Sequence, residues 1–194
     1  MTATALTDTL VFLTYNVRPG TDMAEYEKWL REVDTPFFNS VEAIDYYANW
    51  KIIDGFHHLP FSLFDFMCFD SMADIERAWG DSRLVDFTVD WERLWGNDPG
   101  AEDKAANYQV YRYSRIGAAN ARTIGDFVSL AFDQNVEGEV TPGHHAYRLD
   151  SAMVGAPFAK RLIVGFHGDL TAANAAAASL GGGVGTVIAA PPNA

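Results

Sequence analysis

The chain has 194 residues, of which 48% are hydrophobic and 21% charged, as in ordinary globular proteins with a substantial core. Its 26 acidic and 14 basic residues give a formal charge of −12, which argues against nucleic acid and anionic membrane surfaces as partners. One cysteine, Cys68, excludes an internal disulfide and a cysteine-based zinc cluster. Neither a signal-like segment nor an apolar run of membrane-spanning length is present, so a cytoplasmic protein is predicted.

The first half of the chain alternates between strand and helix patterns. Runs of β-branched and aromatic residues predict strands, and apolar residues three and four positions apart predict amphipathic helices. The predicted order is βαββαβ, the pattern of a ferredoxin-like unit. The segments are a strand over 10–17, a helix that begins after Asp22 and ends or kinks at Pro36, a strand over 44–53, a strand-to-helix junction over 61–79, a second helical segment up to Trp95, and a strand over 108–116.

The strand-to-helix junction over 61–79 has a counterpart over 161–180. Each copy has an apolar run that ends in a phenylalanine, then a polar residue, and then a capped helix, so that Phe69 corresponds to Phe166. A repeat of this period predicts two related halves. The second half follows the order β–ββαβ, the same unit without its first helix. We therefore expect an α+β fold with a ferredoxin-like unit over 8–116 and a degenerate second copy over 126–191.

Four features of the first half occur together: a strand with Tyr15-Asn16 at its end, the Pro19-Gly20 turn, a helix that contains Trp29 and runs to Asp34-Thr35-Pro36, and the junction FMCFDSMADIERAW. In this combination the sequence resembles the dimeric α/β-barrel superfamily, and within it the EthD-like and REDY-like branches. The resemblance implies that two ferredoxin-like units pack sheet to sheet, with a cavity between the sheets. One chain would then form the dimeric-α/β-barrel-like arrangement, and a homodimer is also compatible with it. Asp34 replaces a histidine that many relatives carry in a helix–His–x–Pro pattern.

This resemblance covers several activities, because the superfamily includes cofactor-free monooxygenases, lactone isomerases, polyketide cyclases, haem enzymes and ligand binders. With 13% aromatic residues and few polar groups at the strand ends, the sequence favours a small cofactor-independent enzyme. It would act on an aromatic or polyketide-like molecule by proton transfer, as an isomerase, cyclase or lyase. The alternatives are a cofactor-free monooxygenase of phenolic substrates and a non-catalytic protein that binds a small aromatic or hydrophobic ligand.

Common cofactor signatures are absent from the sequence. No G-x-G-x-x-G follows a predicted strand, and there is no P-loop, G-x-S-x-G or H-E-x-x-H motif. The glycine-rich segment 181–185 lies between a helix and a strand, which is the wrong order for a phosphate site. A haem would need an axial ligand such as His144, His145 or His167, and nothing in the sequence marks one of them. No cofactor is therefore predicted.

Four residues are candidates for the chemistry. His167 ends the repeated strand, and its near-neutral pKa suits a general acid or base. Asp34 lies at the end of an apolar helix, where partial burial would raise its pKa and let it act as a base. Asn16 and Arg112 could stabilise a developing oxyanion. The alternatives are a strand-end histidine, a solvated helix end, a turn asparagine and a solvated arginine.

Five further residues are candidates for substrate binding. The aromatic side chains of Tyr46, Trp50 and Tyr113 could line a cavity, although each also fits a place in the core. His58 and His145 belong to two His-His pairs, and one member of each pair could face the cavity because neighbours on a strand point to opposite faces. For the same reason neither pair chelates a metal by itself, and no metal site is predicted. The alternative for both pairs is a turn or strand-edge position.

Overall fold

The structure is a computed structural model that describes residues 6–53, 59–96, 108–117, 125–140 and 142–191. Eight strands lie within these residues: β1 (Thr9–Tyr15), β2 (Tyr46–Ile52), β3 (Leu63–Phe69), β4 (Tyr108–Ile116), β5 (Phe127–Asp133), β6 (His145–Val154), β7 (Arg161–His167) and β8 (Gly183–Ala189). They close into an antiparallel barrel in the order β1-β3-β2-β8-β5-β7-β6-β4. Strands from both halves of the chain share this barrel, because β2 pairs with β8 and β4 pairs with β6.

Helices begin where an Asp or Ser side chain accepts a hydrogen bond from the first turn, as at Asp22, Ser71, Asp81 and Asp169. Gly181 ends the last helix in the left-handed conformation, with a φ of 65°. No helix in the described part of the chain is long and apolar enough to cross a membrane. The helices are α1 (Met23–Trp29), α2 (Thr35–Phe38), α3 (Met72–Trp79), α4 (Ser82–Leu94) and α5 (Leu170–Leu180), and a π-helical turn (Leu30–Asp34) joins α1 to α2.

The first helical segment does not end at Pro36, one of the two outcomes that the sequence predicts there, but continues through it. Pro36 lies in the first turn of α2, where a backbone N–H is not needed for intrahelical bonding, so the helix extends to Phe38. The predicted α+β class is confirmed. The order of elements in the structure also follows the predicted order, since the first half runs β1, α1 to α2, β2, β3, α3 to α4, β4.

Side chains alternate between the barrel interior and the outer face along each strand. On β2, Tyr46 and Trp50 point into the barrel, whereas Tyr47 packs on the outer face against the helices. The interior is filled mainly by aromatic and branched side chains from the strands. Its fully buried members include Leu10, Phe12, Phe64, Phe66, Tyr111, Tyr113, Val128, Leu130, Tyr147, Leu162 and Val164.

The sequence alignment of the two junctions is wrong by one residue. Phe69 packs on the outer face with Ile75 and Ala78, whereas Phe166 points into the barrel, where its ring centroid lies 5.9 Å from that of Trp50. A shift of one position along a strand moves a side chain to the opposite face, so these two phenylalanines are not equivalent.

Candidate functional site

A cavity of about 140 Å³ lies on the outer face of the barrel, between the first-half strands and the helices that cover them. An apolar cavity of about 150 Å³ can hold a benzene molecule, so this space suits a single ring. Polar side chains of Tyr15, Asp34, Tyr47 and Asp65 lie at its buried end. The other lining residues are Leu13, Phe38, Met67, Trp79, Leu84, Phe87, Thr88, Trp91, Tyr108, Val110 and Val154.

The cavity does not lie where the sequence predicts it. The sequence predicts a cavity between the two sheets, which corresponds to the barrel interior. This cavity lies outside instead, and buried aromatic side chains pack in the interior. Within that interior, the rings of Phe12 and Phe66 lie 5.6 Å apart and those of Trp50 and Phe64 lie 6.2 Å apart.

Asp34 reaches the cavity from the last position of the π-helical turn. The backbone N–H of Thr35 donates to the carbonyl of Leu30, five residues earlier, as a π-helical turn requires. Short π-helical insertions of this kind occur frequently at functional sites. Asp34 is 3% exposed, and its Oδ1 accepts a hydrogen bond from Asn49 Nδ2 at 2.9 Å.

Asp65 is the second carboxyl at the buried end of the cavity. It is the one charged residue of β3, a strand whose seven residues are all buried. Phe64 and Phe66 point into the barrel, so Asp65 between them points outward to the helices. Its Oδ1 accepts hydrogen bonds from Tyr15 Oη at 3.1 Å and Asn49 Nδ2 at 2.9 Å, and its Oδ2 accepts one from Tyr47 Oη at 2.9 Å.

Asn49 links the two carboxyl groups. Its Nδ2 lies 2.9 Å from Oδ1 of Asp34 and 2.9 Å from Oδ1 of Asp65, which places these oxygens no more than about 6 Å apart. Thr35 Oγ1 donates to Asn49 Oδ1 at 2.5 Å, which fixes the amide with its nitrogen toward the carboxyls. Asn49 and Asp65 are direct partners across β2 and β3, so the sheet register brings them together.

Both carboxyl groups bind protons more tightly than an exposed aspartate. Burial raises the pKa of Asp34 from 3.8 to about 7, although hydrogen bonds from Asn49 and Tyr47 lower it in part. Burial and the nearby charge of Asp34 raise the pKa of Asp65 well above its usual range. Two carboxylates at this separation do not both ionise readily, so the pair holds one proton near neutral pH. Such a pair can accept and release protons at physiological pH.

The phenols around the pair are uncharged. Burial raises the pKa of Tyr15, Tyr26 and Tyr47 well above the usual range of a tyrosine, and the charges of the two carboxyls add to the effect. Tyr26 Oη accepts a hydrogen bond from Trp91 Nε1 at 3.1 Å. Since Trp91 lines the cavity, this bond connects its wall with the helix that leads to Asp34.

Of the four predicted catalytic residues, Asp34 lines this cavity and the other three do not. Asn16 Oδ1 accepts hydrogen bonds from the backbone N–H and the hydroxyl of Ser62, and its Nδ2 donates to Pro60, so it ties the end of β1 to the start of β3. Arg112 Nε donates to Ser151 Oγ at 2.9 Å across β4 and β6. Neither residue is therefore placed to stabilise an oxyanion at the carboxyl pair.

His167 lies on the outer face of the second half. Its Nε2 is 2.9 Å from Oγ of the buried Ser129, and its ring centroid is 6.1 Å from that of His144. Among the described residues, no three His, Cys, Asp or Glu side chains are arranged to hold a metal ion.

The predicted substrate-binding residues also lie elsewhere. Tyr46, Trp50 and Tyr113 are buried inside the barrel, because they occupy inward-facing positions of β2 and β4. His145 is buried as well, with its Nδ1 2.6 Å from Arg115 Nη1. His58 lies outside the described residues.

Sequence reasoning missed four residues of the site: Tyr15, Tyr47, Asn49 and Asp65. The signal for Asp65 is a single carboxylate in an otherwise apolar strand, which must have buried partners in a folded chain. Tyr47 and Asn49 are two positions apart on β2 and therefore share one face of the strand. Tyr46 and Trp50 lie on the opposite face. No comparable signal marks Tyr15.

The family model of the REDY-like protein HapK matches residues 9–98. This range runs from β1 to just beyond α4, and it contains both carboxyl groups and every side chain that donates a hydrogen bond to them. The resemblance to the REDY-like family is confirmed. A comparison with proteins of curated function gave no significant match.

Two solved structures, both of the dimeric α/β-barrel superfamily, share the fold over nearly the whole chain. An anthrone oxidase-like protein superposes with a TM-score of 0.59 and 12% identity, over 94% of this chain and 91% of that one. A chlorite dismutase-like protein superposes with a TM-score of 0.52 and 9% identity, over 92% of this chain and 94% of that one. At these identities the two structures show the fold alone.

Proposed function

We propose that this REDY-like protein is a small cofactor-independent enzyme that moves a proton on an aromatic or polyketide-like molecule, as an isomerase, cyclase or lyase. The observation that carries the proposal is the pair of Asp34 and Asp65, buried at the end of an aromatic-walled cavity and linked by one amide. A carboxylate with a pKa near neutrality is suited to general acid–base catalysis.

The two carboxyls can divide the work of an enolisation. Ionised Asp34 accepts a proton from a carbon next to a ketone, and the electron pair of that C–H bond forms the enol double bond. Protonated Asp65 gives its proton to the ketone oxygen, so the charge of the pair is unchanged. Return of a proton to a different carbon completes an isomerisation, and attack of the enol on a second carbonyl completes a cyclisation.

Hydrogen–deuterium exchange tests this proposal without knowledge of the natural substrate. Aromatic ketones with acidic C–H groups, such as 2-tetralone and anthrone, are incubated with the protein in D₂O and followed by NMR. Wild type and Asp86→Asn should accelerate exchange, because Asp86 is an exposed residue of α4. Asp34→Asn should lower the enzymatic rate about a hundredfold or more. Equal rates for wild type and Asp34→Asn would refute the role of Asp34.

A second candidate is a cofactor-free monooxygenase of phenolic substrates, favoured by the similarity to an anthrone oxidase-like protein. The same base would remove a proton and leave a carbanion or phenolate, which would reduce O₂ and form a C–O bond to a peroxide. Loss of water from the peroxide would then break the O–O bond and leave a carbonyl oxygen on the ring. This activity predicts oxygen uptake with substrate and without added flavin or metal. A non-catalytic binding protein would instead show saturable binding with neither exchange nor oxygen uptake.

We also propose that the barrel consists of two copies of a ferredoxin-like unit, over 8–116 and 126–191. In support, the first-half strand order β4-β1-β3-β2 has its counterpart in β8-β5-β7-β6 when strands are counted within each half. The described residues between β5 and β6 contain no helix, whereas the matching connection of the first half carries Asp34. Among the described residues of that connection, none therefore occupies a position equivalent to that of Asp34.

A further inference from the structure

We infer that the cavity selects an uncharged aromatic ligand, such as a neutral phenol or an enolisable ketone, and rejects aromatic carboxylates. This ligand class belongs to the site of the proposed function, and only the location of the site is taken over from that proposal. It depends on the charges that surround the carboxyl pair.

No residue that lines the described cavity is a lysine, arginine or histidine. The groups that face the pair are Tyr15 from β1, Tyr47 and Asn49 from β2, and Tyr26 from α1, all of them uncharged. The pair itself carries one negative charge when it holds one proton.

The cation that comes next along β2 is already neutralised. Lys51 is two residues beyond Asn49, on the same side of the strand, and its Nζ lies 2.7 Å from Glu27 Oε1. A ligand carboxylate at the buried end of the cavity would therefore meet a negative charge without a compensating cation. It would also lose its hydration among apolar rings, which is costly for a charged group.

An uncharged ligand fits the hydrogen-bonding capacity of the pair. A ketone oxygen can accept a bond from the protonated carboxyl, and a phenol can donate one to the ionised carboxyl. A ligand carboxylate has hydrogen-bond acceptors only, so it could not donate a hydrogen bond to the ionised member of the pair. Phe87, one of the aromatic side chains that line the cavity, is held in place by stacking on Phe37 at 4.1 Å with an interplanar angle of 4°.

Benzamide and benzoate form a matched test, because they share size and shape and differ in charge. Isothermal titration calorimetry of the wild-type protein at about pH 8 should show benzamide binding at least about tenfold more tightly than benzoate. At about pH 6 benzoate should gain affinity, since the pair takes up its second proton, while benzamide should change little. Equal or tighter binding of benzoate at the higher pH would overturn the inference, and so would a complete absence of benzamide binding.

The variant Asp34→Asn locates the effect. It should reduce the preference for benzamide to within about threefold, whereas Asp86→Asn should retain the wild-type preference. If Asp34→Asn does not fold, the affinities of the wild type for benzamide and benzoate at the two pH values still test the inference. Charge discrimination without deuterium exchange would refute the proposed function and leave this inference intact. Efficient exchange on a ketone that carries a carboxylate, equal to that on its amide, would refute this inference alone.

Discussion

Oδ1 of Asp34 and Oδ1 of Asp65 lie 2.9 Å from one and the same nitrogen, Nδ2 of Asn49. One carboxyl comes from a π-helical turn and the other from the middle of a strand, so a helix and a sheet must both be in place before the pair exists. The protonation of each group therefore depends on the other and on the folded state, which makes pH a direct probe of the site.

Protein stability should fall as pH rises from about 4 to about 8. The folded-state pKa of Asp34 is raised from 3.8 to about 7, so its contribution is fully present below about pH 4 and is lost as pH rises through 7. A shift of this size corresponds to on the order of 4 kcal/mol. Asp65, raised by the same burial, adds to the slope.

Urea unfolding at about pH 5 and about pH 8 measures this dependence. Asp34→Asn should show a smaller loss of unfolding free energy between the two pH values than the wild type, because one of the two buried carboxyls is gone. Asp86→Asn is the control for the change in net charge and should keep the wild-type difference. Parallel behaviour of the wild type and both variants would contradict burial of an ionisable Asp34.

Replacement of Asn49, whose amide donates hydrogen bonds to both carboxyl groups, should move the pH profile of activity. The hydrogen bond from Asn49 lowers the pKa of Asp34, so Asn49→Leu should raise it further. The rising limb of the exchange rate should then shift to higher pH, while the plateau changes less. Loss of the buried hydrogen bonds should also cost about 1–3 kcal/mol of stability. An unchanged limb in a folded variant would show that Asn49 does not tune the base.

Tryptophan fluorescence should distinguish the outer cavity from the barrel interior as the binding site. Trp79 and Trp91 line the cavity, whereas Trp50 lies inside the barrel. A quenching aromatic ligand should give a weaker response in Trp91→Phe than in the wild type, and Trp50→Phe should retain its response. Trp29→Phe is the control on the helix side, because Trp29 does not line the cavity. Loss of quenching in Trp50→Phe alone would favour the interior.

The packing of His144, His167 and Ser129 in the second half should depend on the absence of a side chain at Gly165. A Cβ there would lie 2.6 Å from two ring atoms of His144 and 2.8 Å from Ser129 Oγ. Gly165→Ala should therefore destabilise the fold by about 1–3 kcal/mol in thermal or urea unfolding. Gly168→Ala is the matched control, since nothing lies within 4 Å of its Cβ position. Equal unfolding midpoints for the two variants would contradict this packing.

Local sequence signals predicted the fold well, because each depends on neighbouring residues. A run of β-branched and aromatic residues located β2, and Asp22 marked a helix start that the structure confirms. The site was harder to predict, since it forms from residues 14 to 50 positions apart that the sheet register and the packing of the first helical segment bring together. Tyr46 and Tyr47 look alike in sequence. The pairing of strands in the closed barrel determines which of them faces the helices, and no local sequence pattern predicts that pairing.

The π-helical turn from Leu30 to Asp34 has a consequence for how this site can be gained or lost. A π-helical turn contains one residue more than an α-helical turn, and each residue rotates the chain by about 100° around the helix axis. Deletion of one codon before Asp34 would restore a plain α-helix and turn the carboxyl away from Asn49. Among homologous chains, the length of this segment should therefore separate those that keep a base from those that have become binders.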